Sequence, residues 1–352
     1  MAATKRRVFG GVDTHGKTHH AAAIDRVGTL LGDQEFPATA AGYRALLAWL
    51  RRFGLVIKVG VEGTGTYGAG LARHLTTEQI VVVEVDRPDR KTRRAQGKSD
   101  PIDAIAAARA ALSGQAAGIP KTRIGPAEAI RALRVGRRGA VKARTAALNQ
   151  LHGLITSAPE SLRAELLAVP AAALVAHCAA LPVDETRLTD PVNATAIALH
   201  AIASRIRHLT AEIALADKRL RPAVAKTAPR LIALHGVGPE VAGQLLATAG
   251  DNPDRLRSEA ALAHLCGVSP LPASSGRTDR HRLNRGGDRG ANNALHTITL
   301  CRMRHDPRTR TYVDRRTKQG LGKKEIMRCL KRYIVREVYQ ALLADFAALN
   351  TP

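Results

Sequence analysis

Gly97-Lys98-Ser99-Asp100-Pro101-Ile102-Asp103-Ala104 sets two carboxylates three residues apart, between a basic run (Arg87, Arg90, Lys91, Arg93, Arg94) and an alanine-rich apolar stretch. Ser99 or Asp100 suits a helix N-cap, Pro101 suits the first turn, and Asp103 falls near the positive end of the helix dipole. On such a helix residues 100 and 103 project to the same side. The pattern has two readings: a well-capped helix, or an acidic pair able to hold a divalent cation against a phosphate.

The residues upstream say what that helix packs on. Residues 8–13 and 19–25 read as short strands, and 30–36 as a third after the turn at Gly28. Residues 42–53 carry a helical period through Tyr43, Leu46, Leu47 and Leu50. Residues 57–61 return to strand, 67–75 to helix, and 80–85 form a β-branched run typical of a buried strand. This order predicts a mixed α/β sheet. Asp13 ends the first strand, and Glu62 ends the fourth, before Gly63-Thr64-Gly65-Thr66. Ligands gather beyond strand ends in open α/β sheets. Asp13, Glu62, Asp100 and Asp103 are therefore candidates for one crevice, although each acid alone also suits a turn or a cap. Glu84, Asp86 and Asp89 are left out; the last two flank Pro88 and arginines, as a solvated turn would.

A formal charge of +24 in 352 residues predicts association with a polyanion, and nucleic acid is the natural one. No apolar run approaches the roughly 18 residues of a membrane span, and nothing at the N-terminus reads as a signal peptide. A cytoplasmic location follows as the expectation, with no membrane partner. Cys178, Cys266, Cys301 and Cys329 lie far apart and form no zinc spacing. With 3% aromatic residues, phosphate and backbone contacts should outweigh base-stacking platforms.

Proline and glycine at 119–126 mark a boundary. Residues 127–157 then read as one long helix, with Arg131, Arg134 and Arg138 as a basic stripe open to phosphate contact. Residues 194–223 read as a second, giving either an ordinary bundle or a coiled coil, antiparallel or between chains. Near 231–246, Gly236-Val237-Gly238 between two helical stretches reads either as a helix-hairpin-helix, in which backbone N–H groups approach a phosphate, or as an ordinary tight αα turn. Between Arg277 and Glu337 there are 18 Lys or Arg against 6 Asp or Glu. Within this tract Arg277, Arg280, Arg282 and Arg285, and Lys331 and Arg332 on the final amphipathic helix of 323–349, are candidate nucleic-acid contacts.

Gly11-Val12-Asp13, Val61-Glu62-Gly63-Thr64-Gly65-Thr66-Tyr67-Gly68 and Gly97 to Ala104 resemble the DEDD transposases of bacterial insertion sequences, the group that includes Piv-type DNA invertases and bridge-RNA-guided recombinases. The resemblance covers about residues 8–112 and 228–342. It implies an α/β RNase H-like (RuvC-like) domain at 6–118, a helical or coiled-coil linker for oligomerisation at 119–227, and a mainly α C-terminal transposase domain with a helix-hairpin-helix at 228–345. It also implies that Asp13, Glu62, Asp100 and Asp103 hold Mg²⁺ (or Mn²⁺), and hard carboxylate oxygens suit such ions. Gly267, Pro270 and Ser275-Gly276 resemble the family's second block, which implies Ser275 as the nucleophile on DNA, with Ser274 the adjacent alternative. A serine hydroxyl needs activation, and the resemblance suggests that the acid site's metal supplies it across a domain or subunit interface. Donor and target DNA, a structured guide RNA, and a dimer assembling to a tetramer on DNA complete the implied picture. Three rivals differ testably. A site-specific invertase shares the chemistry, a hydrolytic junction nuclease makes Ser275 dispensable, and a non-catalytic binder tolerates Asp13→Ala.

Overall fold

The structure, a computed structural model, describes residues 6–85, 99–277 and 281–349. Two compact units account for the chain: Met1–Gly125 with Ala249–Ser258, and Pro126–Thr248 with Glu259–Pro352. This division differs from the three regions read from sequence. The long helices and the C-terminal region share one unit, and a ten-residue excursion returns to the first.

In the first unit β1 (Arg7–Thr14), β2 (Thr18–Ile24), β3 (Leu30–Pro37), β4 (Leu55–Glu62) and β5 (Val81–Val85) form a sheet in the order β3-β2-β1-β4-β5. β2 runs antiparallel to β1 and β3, while β1, β4 and β5 are parallel. Helices α1 (Ala40–Phe53) and α2 (Ala69–Thr77) connect the later strands, and α3 (Asp100–Ser113) follows them. Alternation along β1 sorts its two faces. Val8 and Val12 join Leu46, Leu47 and Leu50 of α1 in the main core. Gly11 faces the other way, where a Cβ would meet the Ala104 carbonyl and the Ala108 nitrogen at 2.1 Å. Gly60 on β4 likewise leaves only 2.5 Å to the Ala107 carbonyl. Buried Ala104, Ala107, Ala108 and Ala111 give α3 a smooth face, so backbone meets backbone. That contact delivers the first turn of α3 to the ends of β1 and β4.

The excursion is fastened by side chains to carbonyls. Arg255 Nε donates to the Ile119 carbonyl at 2.6 Å, Arg257 to Ala117 at 2.6 Å, and Asn252 Nδ2 to Pro120 at 3.1 Å. Glu84 completes this seam: it accepts from Thr64 Oγ1 at 2.5 Å and lies 3.5 Å from Arg255.

In the second unit α4 (Pro126–Thr156) and α7 (Pro191–Thr227) are the two long helices expected from the periodicity. They pair antiparallel within the chain, since Arg137 bonds Asp217 at 2.6 Å and Arg205 bonds Gln150 at 2.8 Å. One end of the pair is closed by α5 (Glu160–Ala168) and α6 (Leu174–Ala179) over Leu151, Ile155, Leu199 and Ile206. Further along, α8 (Pro229–Ala233), α9 (Pro239–Ala249), α10 (Glu259–Leu265), the β6–β7 hairpin (Leu271–Pro272 and His281–Arg282), α11 (Arg289–His305), α12 (Pro307–Lys318) and α13 (Lys323–Leu349) complete the unit. Asp345 on α13 is buried, and its carboxylate accepts from the Arg230 and Leu231 nitrogens at 3.1 and 3.0 Å, so a charge sits where unpaired N–H groups begin α8. Among the described residues, no helix is long and apolar enough to cross a membrane.

Candidate active site

Asp13 and Glu62 close neighbouring parallel strands. The register pairs Val12 with Val61, so the two acids continue it side by side. They alternate onto the same face as Gly11 and Gly60, the face covered by α3. Thr14 Oγ1 donates to the Glu62 carbonyl at 2.8 Å and ties the two strand ends together. From α3 come Asp100 and Asp103, both in its first turn. Ser99 is the N-cap, yet its hydroxyl makes no capping bond, and Asp100 is already helical. The helix therefore begins without a side-chain cap from Ser99, and Asp100 stands inside its first turn rather than at the cap.

His15, in the turn after β1, completes the group. Its Nδ1 is 3.8 Å from Asp13 Oδ2 and 3.9 Å from Asp100 Oδ2. One donor atom from each of Asp13, His15 and Asp100 lies within 4.8 Å of the others. In a six-coordinate ion with bonds of about 2.1 Å, adjacent donors stand about 3.0 Å apart and opposite ones about 4.2 Å, so this set would hold a small divalent cation after drawing in by up to about 1 Å. Asp13 and Asp103 are buried, while Glu62 and Asp100 are partly exposed, giving the cluster a dry floor and an open lip. Burial pushes the Asp13 carboxyl above its ordinary range; His15 pulls it back, and Asp100 and Asp103 raise it further. A bound cation would reverse that strain by compensating all of these charges. Sequence reasoning passed over His15, whose one signal was its place two residues beyond Asp13.

Glu84 stays outside this group, engaged with Thr64 and Arg255. Asp86, Asp89, Gly97, Lys98, Arg280 and the basic run from Arg87 to Arg94 lie outside the described residues.

The second unit holds the remaining candidates. Ser275 is exposed in the loop that joins β6 to β7, and Gly276 after it turns the chain with φ 54°. Arg277, Arg282 and Arg285 are exposed around the same hairpin. Gly236 has φ 82°, and Gly238 has open space where a side chain would stand. The helix before that turn, α8, has five residues, and the helix after it has eleven. On α4 the basic stripe does not act as one surface. Arg138 is exposed, and Arg131 is bonded to Glu128 at 2.6 Å. Arg134 is a correction to the sequence reading: it is buried, bonded to Glu240 at 2.6 Å and to Gln244 at 3.0 Å. Helical spacing put it in line with Arg131 and Arg138, but the docking of α9 turned that position inward. Arg332 also has a carboxylate partner, Glu259. Lys331 is only partly exposed and donates to Asn292 Oδ1 at 2.8 Å, with no carboxylate partner among the described residues.

Two family models match this chain. The DEDD model of IS110-type elements, described as "Transposase", matches residues 10–158, the stretch that contains Asp13, Glu62, Asp100 and Asp103. The model "Transposase IS116/IS110/IS902 family" matches residues 228–314, which contain Ser275. The chain belongs to the DEDD insertion-sequence transposase family. Among relatives of this transposase family, the "Insertion element IS110 uncharacterized 43.6 kDa protein" of Streptomyces coelicolor is 34% identical over 119 residues, 33% of this chain and 29% of the relative. The "Insertion element IS900 uncharacterized 42 kDa protein" of Mycobacterium paratuberculosis is 28% identical over 121 residues, 34% of this chain and 30% of the relative. These alignments span less than a third of either relative's length.

Proposed function

We propose that this chain is an insertion-sequence recombinase that cuts and rejoins DNA. The observation that carries the reading is the convergence of Asp13, His15 and Asp100 at the strand ends, with Glu62 and Asp103 beside them, in a chain of this family. The sheet order, with β1, β4 and β5 parallel and β2 antiparallel to both β1 and β3, supports an RNase H-like fold for the first unit. Asp13, Glu62, Asp100 and Asp103 would hold Mg²⁺ or Mn²⁺, with His15 as a further ligand or as a hydrogen-bonding neighbour of the acids. The cation would supply charge compensation for a scissile phosphate.

Ser275 is the proposed nucleophile. Its Oγ forms a bond to phosphorus, the bond from phosphorus to the 3′ oxygen breaks, and the serine proton passes by way of solvent to the departing 3′ hydroxyl. The product is a 5′-phosphoserine link whose energy is retained for rejoining. Exposure of Ser275 at a hairpin tip supports access to a backbone phosphate. Arg277, Arg282 and Arg285 around it suit the developing charge, and the open Gly236–Gly238 turn suits a second backbone contact. A structured guide RNA and a dimer that becomes a tetramer on DNA belong to the same proposal.

A covalent-trapping assay tests it. The chain is mixed with Mg²⁺, element-flanking RNA and labelled donor DNA and resolved on a denaturing gel. A protein–DNA adduct lost in Ser275→Ala and Asp13→Ala, but kept in Ser274→Ala, is the expected result. Metal-dependent cutting without an adduct, unaffected by either serine, would replace this reading with a hydrolytic nuclease.

A further inference from the structure

Behind the β6–β7 hairpin, a cavity of about 800 Å³ opens between the hairpin, the turn at Gly267 and α13. Among the described residues that line it are five Lys or Arg side chains (Arg282, Arg328, Lys331, Arg332 and Arg336) and one carboxylate, Glu325. Glu325 is already engaged, accepting from the Gly322 nitrogen at 3.1 Å and lying 3.7 Å from Arg328. Glu259 answers Arg332 and Arg336. Lys331 has no such partner among the described residues. Asn292 fixes its ammonium in place through Oδ1, while the Asn292 amide nitrogen is committed to the Cys266 and Gly267 carbonyls at 3.1 and 3.0 Å. A half-buried cation held by a neutral group is poised for an anion.

Two further features separate this cavity from a bare cationic patch. Asn284 is 8% exposed and lines the cavity, and its amide nitrogen is a fully buried donor with no acceptor among the described residues. Buried donors are almost always satisfied, so an orphan at a cavity wall marks a missing acceptor. Tyr333 is half exposed in the same wall, with the Arg336 guanidinium 5.6 Å from its ring centre and Tyr312 edge-on at 5.7 Å. In a chain with so few aromatic residues, a tyrosine–arginine stack beside an uncompensated cation is the composition of a base platform. The volume lies within the range of pockets that enclose small ligands.

We infer that this cavity is a binding site for one unpaired, phosphorylated nucleotide, with its phosphate against Lys331 and Arg328 and its base against Tyr333 within reach of Asn284. The inference rests on the recombinase reading only in taking nucleic acid as the partner, and it needs neither Ser275 nor a metal.

The test uses the full chain in EDTA with fluorescein-labelled single-stranded DNA, single-stranded RNA and duplex DNA, followed by anisotropy. Lys331→Gln and Tyr333→Leu should each weaken binding of an unpaired strand by about fivefold or more, and duplex binding by no more than about twofold. Arg207→Gln, an exposed charge on α7, serves as the control for general electrostatics. The DNA and RNA arms identify which strand supplies the nucleotide. Equal, small losses in all three variants, or displacement of the strand by polyglutamate or inorganic phosphate as readily as by a mononucleotide, would overturn the pocket. Wild type that binds no nucleic acid at all would overturn the recombinase reading as well, whereas Ser275-dependent adducts with unaltered strand affinity in the variants would remove the pocket alone. Should the variants fail to fold, the wild type photo-crosslinked to a 5-iodouracil strand gives the answer: attachment at Tyr333 supports the site, and attachment only elsewhere overturns it.

Discussion

At Asp13 two physical effects act on one carboxyl. Burial and the neighbouring Asp100 and Asp103 favour its neutral form, and His15 favours its charged form; the balance raises its pKa above 3.8. A raised acid contributes its relative stability below the ordinary pKa and loses it as pH rises through the higher, folded value. Metal-free Asp13→Asn should therefore melt above wild type at pH 7, with the difference shrinking toward pH 3. Added Mn²⁺ should raise the wild-type melting temperature and leave the variant almost unmoved; equal metal responses would show that the ion binds elsewhere. Arg134 offers the opposite lesson, a charge whose work is internal. Arg134→Ala should lose about 2 kcal/mol in urea titration, tempered by the part-exposed Glu240 it leaves behind. Its affinity for DNA should fall no more than that of Arg138→Ala, and a much larger loss would restore Arg134 to the phosphate-contact set.

Helix α3 shows how an element can carry a site. Its alanine face and the glycines on the sheet together hold it at the strand ends. In Gly11→Ala the new methyl would stand 2.1 Å from backbone atoms of α3, where no side-chain rotation gives relief. The helix must lift, taking Asp100 and Asp103 with it. We expect a loss of about 4 kcal/mol or failure to fold, and any folded fraction should have lost the metal-induced shift of its melting temperature. Retention of wild-type stability would mean that α3 does not pack on this strand. The five strands, α1, α2 and the two long helices were legible from local signals: short apolar or β-branched runs bounded by turns for the strands, and helical spacing for the helices. The basic tract from Arg277 was read only for its charge, and here the structure adds packing: Gly287 within it and Gly267 before it hold positive φ, and a Cβ at either would stand 2.6 Å from a carbonyl. Composition records the charge of such a tract but not its close backbone contacts.

For the whole molecule, the excess of 54 Lys and Arg over 30 Asp and Glu should govern affinity more than any single contact. Binding to random duplex DNA in EDTA should fall by about a thousandfold between 50 and 200 mM salt, as for some six to ten phosphate contacts. A decline of less than about tenfold would mean that the basic residues are mostly matched by their own acids. The sequence by itself determined the elements, the basic character and the four acids at particular strand and helix ends, because periodicity, net charge and capping chemistry are local properties. Only the tertiary structure decided that His15 joins the acids, that Arg134 turns inward, and that Lys331, Asn284 and Tyr333 share a cavity. Those facts depend on which face of each element is covered, and spacing along a chain cannot specify what packs against it.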